Sequence, residues 1–168
     1  MRKIDIGQLS KAYGVRRLTA DDAEMIYSFC GKNPQFYAYC GGANSIGQIL
    51  ADMQAAPPGI PMEQKYYIGY FEGSLLVAVM DLIDGYPSAD CAYIGFFMME
   101  RDMQGKGIGS RIIAEALAHL KTRGFGRCRL GIDKGNPQSN HFWRKNGFEI
   151  IGVRALDDRS VLLAEKLI

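Results

Sequence analysis

The chain carries little that would tie it to a metal, a membrane or a polyanion. Its four cysteines, Cys30, Cys40, Cys91 and Cys128, form no C-x-x-C pair. The opening run Met1-Arg2-Lys3-Ile4-Asp5-Ile6 lacks the apolar stretch of a secretory signal, so reduced thiols and a cytoplasmic location are expected. The two histidines, His119 and His141, stand at unrelated places without ligand spacing, and no metal is expected. Charge is nearly balanced at a net +2, which argues against broad nucleic-acid or membrane binding and makes any phosphate affinity a local matter. Repeats and low-complexity tails are also missing. With 168 residues, 48% of them hydrophobic and 23% charged, the composition suits a single domain over 1–168 with a sizeable core.

What the chain does have is the run Gln104-Gly105-Lys106-Gly107-Ile108-Gly109-Ser110-Arg111, which opens its longest amphipathic helix pattern. Closely spaced glycines let backbone N–H groups converge without obstruction by Cβ, and a following helix adds unpaired amides and the positive end of its dipole. A phosphate or pyrophosphate suits such a turn. A P-loop is ruled out, because the Gly-Lys pairs Gly31-Lys32 and Gly105-Lys106 are followed by Asn33 and Gly107, not Ser or Thr. The dinucleotide fingerprint fails too, since the spacing is G-x-G-x-G and the preceding strand lies mid-chain.

The remaining pattern, Gln104, Gly107 and Gly109 in a Gln-x-x-Gly-x-Gly spacing, resembles the pyrophosphate loop of the GNAT superfamily of acyl-CoA-dependent N-acetyltransferases. The segment Asn136-Pro137-Gln138-Ser139-Asn140-His141-Phe142-Trp143-Arg144-Lys145-Asn146-Gly147-Phe148 is similar to that family's later motif. There, an Asn after a strand starts a helix that ends in Lys-x-Gly-Phe. The resemblance implies an α/β (α+β) fold: a mixed, mostly antiparallel central sheet of about six to seven strands flanked by helices, with one splayed parallel pair.

The patterning fits that order of elements. A short strand at Val15–Leu18 precedes a capping box at Thr19-x-x-Asp22, which opens a helix through about Cys30. Ser45 to Gln48 signals a second helix, ended by Pro57-Pro58-Gly59, with Gly41-Gly42 as the link between the pair. Lys65–Glu72 and Ser74–Ile83 read as a hairpin turning at Gly73, and Cys91–Met99 as a further strand. A helix follows from Gly107 to about Arg123, its apolar stripe including Ile108, Ile112, Leu117 and Leu120. Then come a strand at Cys128–Asp133, the Asn136 helix and a terminal strand pair. Asn136 is a good cap, Pro137 suits the first helical position, and Gly147 suits the residue past the end.

The resemblance assigns roles residue by residue. The backbone of Phe97, Met98 and Met99 is implied to meet the pantetheine and acyl group of acetyl-CoA, the cosubstrate. Gln104, Gly105, Lys106, Gly107, Ile108, Gly109 and Ser110 are implied to line the pyrophosphate, with Asn136 and Ser139 beside the pantetheine arm. Lys106 is equally readable as a solvated surface lysine, and Asn136 as a cap alone.

The chain departs from the family at both catalytic places. Tyr93 stands where many relatives carry a glutamate base, and a phenol of pKa about 10 is a poor base at neutral pH. Asp81 and Asp84, on and at the end of the preceding strand, are the alternative bases, with ordered water a third. Trp143 stands where a tyrosine acid is frequent, and an indole N–H donates a hydrogen bond without acting as an acid. Transfer to a primary amine by direct attack is the implied reaction; Cys91 and Cys128 have no base partner for a covalent intermediate. A binding-only module that senses acyl-CoA is the rival. Acceptor identity is nearly silent: Phe36, Tyr37, Tyr39 and Tyr86 suit either an amine pocket or ordinary core packing. Acyl-chain preference and oligomeric state stay open, a homodimer being one option.

Overall fold

A computed structural model describes residues 4–40 and 44–168; the Gly41-Gly42 link lies outside the described residues. Seven strands form one sheet in the order β1-β2-β3-β4-β5-β7-β6. The strands are β1 (Gly14–Arg17), β2 (Lys65–Glu72), β3 (Leu75–Asp84), β4 (Cys91–Met99), β5 (Arg127–Asp133), β6 (Glu149–Ala155) and β7 (Ser160–Leu167). Every neighbouring pair is antiparallel except β4 and β5, which run parallel. The helices are α1 (Ala23–Gly31), α2 (Pro34–Tyr39), α3 (Ile46–Gln54), α4 (Ile108–Thr122) and α5 (Pro137–Lys145).

Local chemistry accounts for most boundaries. Gly107 and Arg123, expected inside the long helix, cap the two ends of α4 instead. Ser45 Oγ accepts from the Gln48 amide and so starts α3, and Asn136 Oδ1 accepts from the Ser139 amide and so starts α5. The expected helical pair proves to be three helices: α2 carries Phe36, Tyr37 and Tyr39 between the two.

The Thr19–Asp22 box opens a short 3-10 turn that leads into α1. Asp22 Oδ2 accepts from the Thr19 amide at 2.8 Å, and Arg16 grips the same carboxylate with two nitrogens at 2.9 and 3.0 Å. That guanidinium bond, then the Thr19 amide, outweighs the cost of burial and holds the Asp22 carboxyl below its ordinary 3.8. A carboxyl with a lowered folded pKa stabilises the fold above its unfolded value, and the contribution is lost as pH falls through the folded value. Asp22→Asn is therefore expected to cost about 1 kcal/mol at pH about 7. The cost should shrink as pH falls through the lowered pKa of the folded carboxyl, as read by paired urea titrations.

Two apolar layers sandwich the sheet. On one face, α4 lays Ile112, Ile113, Ala116, Leu117 and Leu120 against Met80, Leu82, Ile94, Leu130 and Ile132. On the other, Ile26, Phe29 and Cys30 of α1 and Ile49 and Met53 of α3 cover Tyr67, Leu76, Val79 and Met98. Ile112 is wholly buried. Its truncation to alanine leaves a cavity and is expected to lower unfolding free energy by about 2–5 kcal/mol in urea denaturation.

The ladder between β3 and β4 has one irregularity. On β3, Asp81 pairs with Phe96 while Leu82 pairs with Ile94, so Gly95 is an extra residue on β4. Such a bulge bends its strand and ends regular pairing.

Candidate active site

The bulge lies where the parallel pair comes apart. β4 and β5 are in register only from Cys91–Arg127 to Ile94–Leu130. Beyond that point β4 continues to Met99 paired with β3, and β5 continues to Asp133 paired with β7. In an antiparallel ladder alternate residues turn their N–H and C=O groups away from the partner. Half of the backbone groups from Phe96 to Met99 therefore face the opening. This is the stretch of Phe97, Met98 and Met99 singled out in the sequence.

The glycine turn closes one end of that opening. Gly105 and Gly107 take left-handed φ values of 73° and 80°, which glycine adopts without strain, and Gly107 caps α4. The amides of Ile108, Gly109 and Ser110 belong to the first turn of α4, whose N–H groups have no intrahelical acceptors. Lys106 is exposed beside them. Gly109 has a different reason to be glycine: it is buried, and a Cβ there would meet Phe142 at 3.2 Å and Met99 at 3.3 Å. It lets α4 approach α5 and β4 closely.

Gln104 ties the turn to the strand. Its Nε2 donates to Met99 O at 3.1 Å and to Asn33 Oδ1 at 2.7 Å, while its Oε1 accepts from Gln138 at 3.2 Å. Asn33 in turn donates to Met99 O at 3.3 Å. The Gln104 side chain is thus spent on positioning the turn, and Asn33 is a positioning residue that sequence reading missed. Ser110 Oγ accepts from Asn146 at 3.2 Å, joining the start of α4 to the end of α5. Asn136 is buried and uses its Oδ1 as the α5 cap; its amide nitrogen carries separate donors. Ser139, half-buried in the first turn of α5, meets Asn136 through its backbone.

On the opposite face of the sheet lies a cavity of about 400 Å³. Tyr37 of α2, Asp52 of α3, Tyr67 of β2 and Asp81 of β3 line it, and it reaches Gly95 and Phe96 at the bulge. The opening between β4 and β5 thus has an anion-type turn at one end and a side-chain pocket at the bulge.

Comparison with known proteins gives this arrangement its context. The sequence profile of the Acetyltransferase (GNAT) family matches residues 21–148.

The chain belongs to the GNAT family.

Among curated relatives, the holothin acyltransferase of Pseudoalteromonas sp. (strain SANK 73390) is 32% identical over 88 residues, which is 51% of this chain and 26% of that protein. The match thus spans about a quarter of that relative's length. Among solved structures, an acetyltransferase from Thermus thermophilus superposes with a TM-score of 0.74 at 19% identity, covering 94% of this chain and 97% of that one. The PaiA N-acetyltransferase from Thermoplasma acidophilum, solved in complex with coenzyme A, superposes with a TM-score of 0.66 at 20% identity, covering 93% and 99%. These likenesses carry the fold, and family membership places the chain among acyl-group transferases.

Within this GNAT fold the catalytic candidates separate by environment. Trp143 is buried in an aromatic cluster: Phe142 packs edge-on at 4.9 Å, Phe148 at 5.2 Å and Phe97 at 5.9 Å. It is a core residue that supports Phe97 from behind. Tyr93 is half-buried, edge-on to Tyr86 at 5.2 Å, with its hydroxyl over Gly131. Burial pushes the Tyr93 phenol further above its ordinary value, with Arg154 opposing weakly, which makes it a still poorer base.

Asp81 is different. Its Oδ2 accepts from Lys65 Nζ at 2.7 Å, and Lys65 is almost fully buried. Its Oδ1 is sealed from solvent and accepts no hydrogen bond. An added Cβ on Gly95 would stand 3.0 Å from Oδ2, so the carboxylate lies directly against the bulge. Desolvation raises the Asp81 pKa and the Lys65 charge opposes that rise. Asp81 is thus a half-buried carboxylate set against the bulge, with one oxygen held by Lys65 and the other without a hydrogen bond. Asp84, at the far end of β3, is buried beside the β3–β4 connection and away from the bulge.

The thiols fit a packing role. Burial pushes Cys91 up to about 11 and raises Cys128 well above its ordinary value, so neither supplies a thiolate nucleophile near neutrality. Among the described residues, no three His, Cys, Asp or Glu side chains are grouped to hold a metal ion, and no helix is long and apolar enough to cross a membrane.

Proposed function

We propose that the chain is a single N-acetyltransferase domain that moves the acetyl group of acetyl-CoA to a primary amine by direct attack. The observation that carries this reading is the divergence of β4 from β5 after Ile94 and Leu130, with the glycine turn at one end and the Asp81 pocket at the bulge. A thioester arm laid along the free edge of Phe97 to Met99 presents its carbonyl near the bulge. Its pyrophosphate meets the amides of Gly105 to Ser110, with Lys106 adding a flexible charge. The Asn136 amide nitrogen faces the same arm from α5, next to Ser139.

The amine arrives as an ammonium ion and must lose a proton before it attacks. Asp81, directly or through one water, accepts that proton. The nitrogen lone pair then forms the C–N bond at the thioester carbon, and backbone N–H groups of β4 receive the negative charge that gathers on oxygen. As the C–S bond breaks, CoA departs as a thiolate and the nitrogen loses its second proton to solvent to become a neutral amide; Asp81 then releases the first proton to solvent. A thiolate is a tolerable leaving group, so the absence of a tyrosine acid at Trp143 is a modest loss.

Direct attack makes a kinetic prediction. Initial rates measured against both substrates should give intersecting double-reciprocal lines, because both must be bound together. Parallel lines, with an acetylated cysteine found by mass spectrometry, would replace this mechanism with a covalent one.

A further inference from the structure

The pocket under α3 has a charge pattern that specifies more than an amine. Its formally charged lining groups are Asp52, Asp81 and Arg159. Arg159 is already engaged, with Nε on Asp133 at 2.8 Å and a longer contact to Asp158 at 3.7 Å. Asp81 has its Lys65 partner on one oxygen and nothing on the other. Asp52 has no cationic partner among the described residues; it accepts a hydrogen bond from the neutral Gln48 amide at 2.8 Å.

Asp52 sits on the exposed side of α3, whereas Asp81 is at the floor against Gly95. The Asp52 carboxylate is close enough to act on the ionisation of the pocket, where it adds to the rise at Asp81, Tyr67 and Cys30. Aromatic side chains supply much of the rest of the lining, with Gln48 and Arg159 as the other polar groups. Phe36 meets Tyr37 edge-on at 5.1 Å and Phe96 at 5.4 Å, and Tyr67 lines the side. Two carboxylates from different elements, lining one cavity of about 400 Å³ beside Phe36, Tyr37, Tyr67 and Phe96, are complementary to a short chain with a cation at each end.

Resting on the reading of the site as an amine acetyltransferase, we propose that the acceptor is a small aliphatic diamine. Asp81 takes the proton from the attacking nitrogen, and Asp52 holds the distal ammonium at the mouth. One terminal nitrogen forms the new amide bond as the thioester C–S bond breaks. The other keeps its charge, and the monoacetylated product leaves with one cation instead of two. Losing that charge at the Asp81 end weakens the product's hold and favours release. Asp52 is then a specificity-determining residue.

Three acceptors of four carbons each separate the possibilities: diaminobutane, butylamine and γ-aminobutyrate, which end in an ammonium, a methyl and a carboxylate at the far end. Transfer from acetyl-CoA to each is followed by thiol release and product mass, in wild type and Asp52→Asn. Calorimetry of CoA on both proteins runs alongside, with calorimetry of diaminobutane on the CoA-loaded wild type.

The expected result is kcat/KM in the order diaminobutane, butylamine, γ-aminobutyrate. Asp52→Asn should narrow the diaminobutane-to-butylamine ratio by about tenfold, through KM and not kcat. Preference for γ-aminobutyrate would overturn the proposal in favour of recognition through Arg159. So would an unchanged ratio in the variant, or no heat from diaminobutane. If CoA itself fails to bind, the donor-site reading falls first and this inference with it. If CoA binds and butylamine is acetylated as well as diaminobutane, only the inference falls.

Discussion

Replacing Gly107 with glutamate is expected to lower acetyl-CoA affinity at least about a hundredfold in a protein that still folds. Gly107 caps α4 with a φ of 80°, and an added Cβ meets nothing within 4 Å. The backbone penalty of a side chain in the left-handed region is about 1–2 kcal/mol, a fraction of ordinary domain stability. The ligand penalty is larger, because the variant sets a carboxylate among the amides that should hold the pyrophosphate.

Gly109 is a poor place for the same test. Its Cβ would press on Phe142 and Met99, so lost binding there would be confounded by lost packing. Lys106→Glu is the unstrained companion, since Lys106 is exposed; about a tenfold loss is expected from charge reversal alone. Calorimetric titration of acetyl-CoA, with near-ultraviolet circular dichroism to verify folding, reads both. Undiminished affinity in folded Gly107→Glu would move the pyrophosphate elsewhere.

Asp81→Asn should be the most damaging substitution at the acceptor side, for two separable reasons. It removes the base, worth about 10²- to 10⁴-fold in rate. It also strands the Lys65 ammonium, which is almost fully buried and pairs with Asp81 at 2.7 Å. Breaking a buried pair from one side costs about 3–5 kcal/mol, enough to unfold a modest domain. The Lys65→Met, Asp81→Asn double variant removes both charges and should recover most of the stability.

If Asp81 is the base, that double variant regains its melting temperature but stays at least about a hundredfold below wild type in kcat/KM. If Asp81 only balances Lys65, activity returns with stability. The pH profile adds a sign. Only the ionised carboxylate accepts a proton, and burial opposed by Lys65 leaves its pKa raised above 3.8. Wild-type kcat/KM should therefore climb through a limb displaced upward from the ordinary carboxylate range, and the double variant should lack that limb.

The parts of this fold written locally were legible in the sequence. The strand Cys91–Met99 and the caps Ser45 and Asn136 each depend on a few neighbouring residues and stand where their chemistry put them, while α4 starts one residue past Gly107. The helix α2 was missed because six residues opening on Asn33, with no side-chain cap bond, leave no periodic signature.

The acceptor side was legible only in fragments, with Asp81, Phe36 and Tyr37 named as candidates and Asp52 missed, for a deeper reason. Asp52 and Asp81 are 29 positions apart in sequence, and only packing of α3 against the sheet brings them to one cavity. The bulge at Gly95, which sets Asp81 against the opening, is a property of register between two strands and not of either alone. Asn33 likewise gains its role from a contact with Gln104 across 71 positions.

The central claim is that an amine reaching the Asp81 pocket attacks a thioester held between β4 and β5. Its most direct test is to incubate the protein with acetyl-CoA and a panel of primary amines and weigh the products by mass spectrometry while counting released thiol. The expected result is an acetylated amine formed mole for mole with free CoA, and little thiol released without amine. Thiol release that no amine accelerates, with no acetylated product in the panel, would contradict it.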